Sequence, residues 1–395
     1  MSEAVAKDPA GFSLQATGTG LLVAFIGFSS SFAVVLQGLR GIGASQAEAA
    51  SGLMALSVTM GLAGIYLSFR TRQPVSVAWS TPGAALLATT GAVEGGFAGA
   101  VGAFLICGLL IVLAGLWRPL GRWVSAIPPA LANAMLAGVL LTFCLQPVKA
   151  LAEGPALTLP VIVAWAVAWR FKRLYAIPVA LIVAVAAIAV TTELPPLDAV
   201  PLLPQPLFIL PEFSFGALVG VALPLFIVTM ASQNIPGIAV LNANGYRPAP
   251  GPLFATTGIF SLLSAPFGGH AVNLAAITAA LCAGEDAHPD PQRRYWAAVV
   301  SGVGYVVLGL FATAITAFVA AIPAYLFLTV AGLALLSAFA AALTESMAAA
   351  KDRLPAVVTF VGTASGLSFF GIGSAFWGLV AGIAMMALLR WRPGR

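Results

Sequence analysis

An all-α polytopic membrane protein, with fourteen transmembrane spans in a 7+7 inverted repeat, is the fold class that three features of this sequence predict. Composition is the first: of 395 residues, 60% are hydrophobic and 8% charged, with a mean hydropathy of +1.01, against about 25% charged residues in an ordinary soluble domain. A pair of apolar runs, each interrupted by an extended stretch before a half-length helix, is the second. The third is the placement of positive charge. With both termini cytoplasmic, 16 of the 18 lysines and arginines fall in the segments assigned to that side, and only Arg40 and Lys149 fall outside. Removing one span would put the later basic clusters on the wrong side, so the positive-inside rule supports fourteen. An odd number of spans per half also inverts the second half relative to the first. The net charge of +5 is thereby read as a topology signal in short loops, and no basic patch for nucleic acid is present.

In order, residues 1–17 are polar, lack the regions of a signal peptide, and read as a cytoplasmic N-terminus. Apolar runs follow at about 18–38, 46–69, 74–91, 97–117, 124–146, 155–171 and 176–192, making a first seven-span repeat over 18–192. Residues 193–212 carry six prolines, which a regular helix cannot hold, and the segment 193–213 reads as a periplasmic linker. Runs at about 214–241, 251–265, 267–284, 295–317, 322–343, 354–370 and 372–390 make the second repeat, over 214–392. Ile127-Pro128 and Ile322-Pro323 open similar runs 195 positions apart, as the fifth spans of their halves.

The tenth run contains PFGGHAVNLAAITAALCAG, which places His270 and Asn273 at membrane depth beside the pair Gly268-Gly269. Two glycines in a helix interior cost about 1 kcal/mol each relative to alanine. The stretch is therefore expected to be extended over 266–272, with Asn273 as the N-cap of a half-helix over 274–282. Counting back 192 positions reaches PVSVAWSTPGAALLATTG. There 75–80 is expected to be extended, with Thr81 as N-cap and Pro82 at the first helical position, where its missing N–H costs nothing. Two facing helix N-termini, each partly positive, make an anion-sized site. Its expected lining is Trp79, Ser80, Thr81, Phe267, Gly269, His270 and Asn273, joined by Ser232 and Gln233 from the polar cluster Ser232-Gln233-Asn234 that interrupts the eighth span. The counterpart Ser29-Ser30-Ser31 is read as helix packing.

All thirteen acidic residues lie in loops or near span ends, so the predicted site holds no carboxylate, which suits an anion and not a cation. His270 is the one mid-membrane group that titrates near neutrality, while His288 sits in the charged loop EDAHPD and reads as solvated. Cys107, Cys144 and Cys282 read as small buried hydrophobes. No nucleophile with a base and no metal-ligand cluster is found, which argues against an enzyme, a metal or a cofactor.

The runs SAPFGGHAVNLAAITAALCAG, STPGAALLATTG and SQNIPG resemble the benzoate:proton symporter family (BenE). That family is similar in fold to the uracil permease and nucleobase transporters and to the SulP anion transporters. The resemblance covers nearly the whole chain. It implies a core domain of spans 1–4 and 8–11 and a gate domain of spans 5–7 and 12–14. It also implies a secondary transporter of the bacterial inner membrane that imports benzoate with a proton by alternating access. The alternative is carriage of another small organic anion or a nucleobase. In the uracil permease pattern a glutamate follows a glycine in the tenth span; here the pair is Gly269-His270, which suits a carboxylate in place of a neutral nucleobase. His270 is expected to carry the coupled proton, Trp79 and Phe267 to contact the ring, and a homodimer is a fold-level expectation.

Overall fold

Ser13 opens the first helix of the computed structural model, which describes residues 13–117, 128–191, 205–367, 369 and 374–391. Its hydroxyl accepts from Ala16 N at 3.3 Å, a side-chain cap that starts α1 (Leu14–Ser29). Of the expected N-terminal segment 1–17, residues 13–17 thus belong to a helix start, and 1–12 lie outside the described residues. A two-residue break at Ser30-Ser31 separates α1 from α2 (Phe32–Gly41). A capping box between Ser45 and Glu48 then starts α3 (Gln46–Thr71). The first repeat continues with β1 (Val77–Trp79), α4 (Thr81–Thr90) and α5 (Gly96–Leu116). It ends with α6 (Pro129–Cys144), α7 (Gln146–Glu153), α8 (Pro155–Phe171) and α9 (Ala176–Thr191). The basic loop holding Arg118 and Arg122 lies outside the described residues, as do Lys7, Arg392 and Arg395.

The linker segment is described in its second part. Residues 192–204 are outside the described set, but 205–213 lie extended against the bundle. Leu207 N donates to Ser51 Oγ (2.9 Å), Ile209 N to Pro266 O (2.8 Å) and Glu212 N to Ala98 O (3.0 Å). Backbone this close to an apolar bundle needs such partners.

The second repeat holds α10 (Phe215–Ala243), α11 (Pro250–Ser264), β2 (Val272–Leu274) and α12 (Ile277–Ala283). It closes with α13 (Tyr295–Leu310), α14 (Ala312–Ala321), α15 (Ala324–Met347), α16 (Arg353–Ala364) and α17 (Ser374–Arg390). Among the described residues, six helical stretches are long and apolar enough to cross a membrane, and the pair α13–α14, bent by 58°, makes a seventh. The helices α8, α9 and α17 are apolar but shorter. The fold is therefore that of a mostly helical, multi-pass membrane protein.

The two strands pair antiparallel, with Val77 opposite Leu274, Ala78 opposite Asn273 and Trp79 opposite Val272. Val77 and Val272 are 195 positions apart, and so are Pro129 and Ala324, which open α6 and α15. The offset of 192 taken from the two broken runs is thus three residues short. The offset given by the Ile-Pro pairs is the one the strands share.

Glycine sets the closest helix approach. A Cβ added at Gly302 on α13 would stand 2.6 Å from the Gly61 carbonyl oxygen of α3, and one added at Gly61 would strike the Gly302 carbonyl oxygen in turn. At the far end of α12, the largely buried Arg294 donates to the Ala283, His288 and Pro289 carbonyl oxygens at 2.9, 2.6 and 3.3 Å. The cation satisfies one free carbonyl at the C-terminus of α12, complements the helix dipole and holds the loop that follows through the other two. Replacing Gly61 by alanine should force α3 and α13 apart and cost about 1 to 3 kcal/mol. A clear fall in the melting temperature of the detergent-purified variant would register it, and an unchanged melt would contradict the close approach.

Candidate functional site

Extended backbone at the centre of an apolar bundle must find its hydrogen bonds inside the protein. Beyond the ladder itself, Ser80 N donates to Ala271 O at 2.9 Å and Ala275 N to Ser76 O at 3.0 Å. On the outer side of β2, Val272 N donates to Ser261 Oγ of α11 (2.8 Å) and Leu274 N to Asn234 Oδ1 of α10 (2.8 Å).

This pairing moves both predicted caps. The N-cap of α4 is Ser80, whose hydroxyl accepts from Gly83 N at 3.1 Å and from Thr229 Oγ1 at 2.8 Å; Thr81 is the first helical residue. Asn273 caps nothing. It lies in the middle of β2, and α12 starts only at Ile277 because the ladder to β1 holds the preceding residues extended. The stretch before β2 is likewise not extended throughout: 265–267 form a 3₁₀ turn, and Gly268 takes φ +88°, which favours glycine.

The polar cluster of the eighth span is not a break either. It is a π-turn, Met230–Asn234, within the continuous helix α10, and a second π-turn occupies Leu218–Ala222. Each ends two residues before a proline, Pro236 and Pro224. The extra residue in the turn relieves the clash between a proline ring and the carbonyl four residues earlier. It also rotates Asn234 toward β2 while its neighbours Ser232 and Gln233 line a cavity.

That cavity has a volume of about 640 Å³ and is bounded by the first residues of both half-helices, Thr81 and Pro82 on one side and Ala275, Ala276 and Thr278 on the other. Of the predicted site residues, Trp79, Thr81, Ser232 and Gln233 line it. Trp79 is held by its indole N–H, which donates to Ser31 Oγ at 2.9 Å. Gln233 has no hydrogen-bond partner among the described residues. Ser80 lies fully buried beneath the wall, spent on its cap.

The remaining four predicted residues are not brought to the cavity. His270 is fully buried, with Nδ1 accepting from Ala271 N at 2.6 Å and its ring edge-on to Phe104 at 6.3 Å. Its Nε2 and both amide atoms of Asn273 have no partner among the described residues. Phe267 packs edge-on against Phe208 of the linker at 5.9 Å. A Cβ at Gly269 would meet Ser264 (2.8 Å) and Leu56 (3.1 Å), so that glycine serves packing.

The wall also contains Ser30 and Ser31, which the sequence reads as helix packing, Glu345, which it reads as a span-end residue, and Asn133, Thr278 and Tyr305, which it does not single out. Only their polarity within apolar runs could have flagged them. Glu345 corrects the expectation of a site without a carboxylate. A second cavity, of about 620 Å³, lies on the other side of the Ser30-Ser31 break and is lined by apolar residues with Ser29 as the one polar side chain among them.

Paired half-helices that meet at a polar cavity inside a helical bundle define a membrane transport protein. The sequence profile of the family described as Benzoate membrane transport protein (BenE) matches residues 10–388, and the chain belongs to that family. It is 42% identical over 370 residues to the Inner membrane protein YdcO of Escherichia coli (strain K12), covering 92% of this chain and 93% of that one. It is 34% identical over 381 residues to the Benzoate membrane transport protein of Acinetobacter baylyi (strain ATCC 33305 / BD413 / ADP1), covering 96% of each. Among solved structures it is similar in fold to the transmembrane domain of a cyanobacterium bicarbonate transporter, BicA, with a TM-score of 0.58, 15% identity, and coverage of 94% of this chain and 99% of that one. It is also similar to SLC26A9, with a TM-score of 0.62 and 15% identity over 94% of this chain; it spans 64% of the SLC26A9 chain. Family membership places the protein among multi-pass membrane transporters of bacteria and outside the enzymes.

Asn234 is the side chain that ties α10 to the crossing strands. Replacing it by alanine would leave Leu274 N unpaired in the core, which costs about 1 to 3 kcal/mol. The expected result is a lower melting temperature together with faster hydrogen exchange at Leu274 and Ala275. Unchanged exchange at those amides would dismiss the tie.

Proposed function

We propose that the protein imports an aromatic carboxylate, benzoate, together with a proton, by alternating access across a bacterial inner membrane. The observation that carries this reading is the cavity into which the first turns of both half-helices open, with Gln233, Thr81 and Ser232 as polar partners and Trp79 as an aromatic face. Helix N-termini favour an anion by about 0.3 to 1 kcal/mol each when exposed and up to about 2 kcal/mol when partly buried. A volume of about 640 Å³ lies within the range of small-molecule sites. The family, and the name carried by the Acinetobacter relative, support benzoate as the cargo.

The reading includes fourteen passes in two inverted sevens with both termini cytoplasmic, supported by the antiparallel strands and the shared offset. It also divides the chain into a core (α1 to α5 and α10 to α14, with both strands) and a gate (α6 to α9 and α15 to α17). Both cavities have walls from each set, as a path between two moving bodies requires. A homodimer is part of the proposal on fold-level grounds alone.

His270 is proposed to hold the coupled proton from behind β2, without touching the substrate. With Nδ1 accepting from Ala271 N, the resident hydrogen sits on Nε2, so a second proton at Nδ1 must break that bond and disturb the turn into β2. Opposite charges attract through a protein interior, so an anion in the cavity favours a proton on the imidazole and each promotes the binding of the other.

Purified protein in liposomes should take up benzoate under an inside-alkaline gradient, and absence of benzoate uptake would refute the proposed cargo. One proton per carboxylate removes the opposing membrane term of about 2.3 kcal/mol per 100 mV, so an inside-positive potential at equal pH should not accelerate uptake. His270→Gln should still bind benzoate but lose accumulation driven by the gradient. If that variant accumulates as well as wild type, the proton travels on the substrate itself. Gln233→Ala should weaken benzoate binding about tenfold or more, as loss of a hydrogen bond to a charged group does; equal affinity by calorimetry would remove Gln233 from the site.

A further inference from the structure

Glu345 is the only charged side chain that lines the polar cavity among the described residues. It follows Ala338, Ala341 and Ala342 along one face of α15, at spacings that put all four on a single stripe, so an alanine wall leads from the half-helices to one carboxylate. The position is two residues before the end of α15, with Lys351 and Arg353 just beyond. Negative charge in the last turn of a helix opposes the helix dipole, which favours a cation there, so local helix physics does not account for a glutamate. No hydrogen bond or ion pair joins its carboxylate to another described residue, and Arg353 is instead bound through Nε to Met347 O at 2.9 Å. Since helical side chains lean toward the N-terminus, Glu345 leans back over the cavity.

We propose that Glu345 is a specificity-determining residue for the transport site: its fixed negative charge at the cavity rim loosens the hold on anions and selects monoanions over dianions. The inference rests on the reading of the cavity as an anion site. Half-helix N-termini draw negative charge inward; a rim carboxylate opposes it in proportion to the ligand's charge. If the rim charge weakens a monoanion by some factor, it weakens a dianion of similar size by about the square of that factor. The cavity therefore binds benzoate loosely enough to release it and rejects aromatic dicarboxylates.

The test compares benzoate, phthalate and uncharged benzamide binding to purified wild type and Glu345→Gln by titration calorimetry. At roughly 10 mM salt, where the screening length is about 30 Å, the variant should bind benzoate about threefold and phthalate about ninefold more tightly, with benzamide unchanged. At roughly 1 M salt, where it is about 3 Å, both gains should shrink toward one. Glu345→Asp, which keeps the charge, should retain the wild-type preference. Equal changes for all three ligands, or none at low salt in a variant that melts like wild type, would overturn the role. Wild type that binds no benzoate would overturn the anion site itself and this role with it, whereas tight benzoate binding with an indifferent Glu345→Gln would overturn only the latter.

Discussion

Extended backbone buried in an apolar bundle leaves N–H and C=O groups that water cannot reach, and each would cost several kcal/mol unpaired. β1 and β2 meet this by pairing with each other, and on the outer edge of β2 the Val272 and Leu274 N–H groups donate to Ser261 and Asn234. Much else follows from that arrangement. Two chain segments that pair antiparallel and then turn into helices send those helices in opposite directions, so their N-termini face a common space. The π-turn in α10 is what lets one segment serve both sides, with Asn234 holding the strand and Gln233 lining the cavity. Thr229, one residue before that turn, fixes the other half by donating to Ser80. A single helix thus bears on both halves of the crossing.

The sequence made the existence of this crossing legible but not its register. Gly268-Gly269 and Pro82 could be placed because glycine and proline act locally, through allowed φ and a missing N–H. Asn273 reads as a cap because its preference for caps is also local, whereas its position is set by pairing with Ala78, a residue 195 positions away. The same holds for His270: its sequence neighbours suggest the site, but β2 turns it toward Phe104 and away from the cavity. Trp79 and Thr81 are legible because they flank a break visible in sequence, and Ser232 and Gln233 because they are polar residues inside an apolar run. Glu345 reads as an acidic residue near a span end, which is where it lies. That this end of α15 forms the cavity rim depends on how α6 and α15 pack beside the half-helices, and no local pattern records it.

The two cavities lie on either side of the Ser30-Ser31 break, one polar and one nearly wholly apolar. What separates them is a row of rings: Trp79 meets Phe28 edge-on at 5.3 Å, Phe28 stacks on Phe32 at 5.6 Å, and Phe32 meets Phe327 edge-on at 6.5 Å. Three of these rings belong to α1, α2 and β1, while Phe327 stands on α15, so the row bridges the two proposed moving bodies only at its last contact. An aromatic contact contributes about 0.5 to 1.5 kcal/mol beyond its buried area. Parting Phe32 from Phe327 therefore requires far less than disrupting the glycine-mediated packing of α3 on α13, where backbones touch. In the proposed movement this ring pair is one contact that parts at low cost. The balance between two conformations sums every contact that changes, this ring pair among them, and a substrate shifts it by its differential affinity for the two. The proposed anion site on helix N-termini would contribute to such a shift by a few kcal/mol at most.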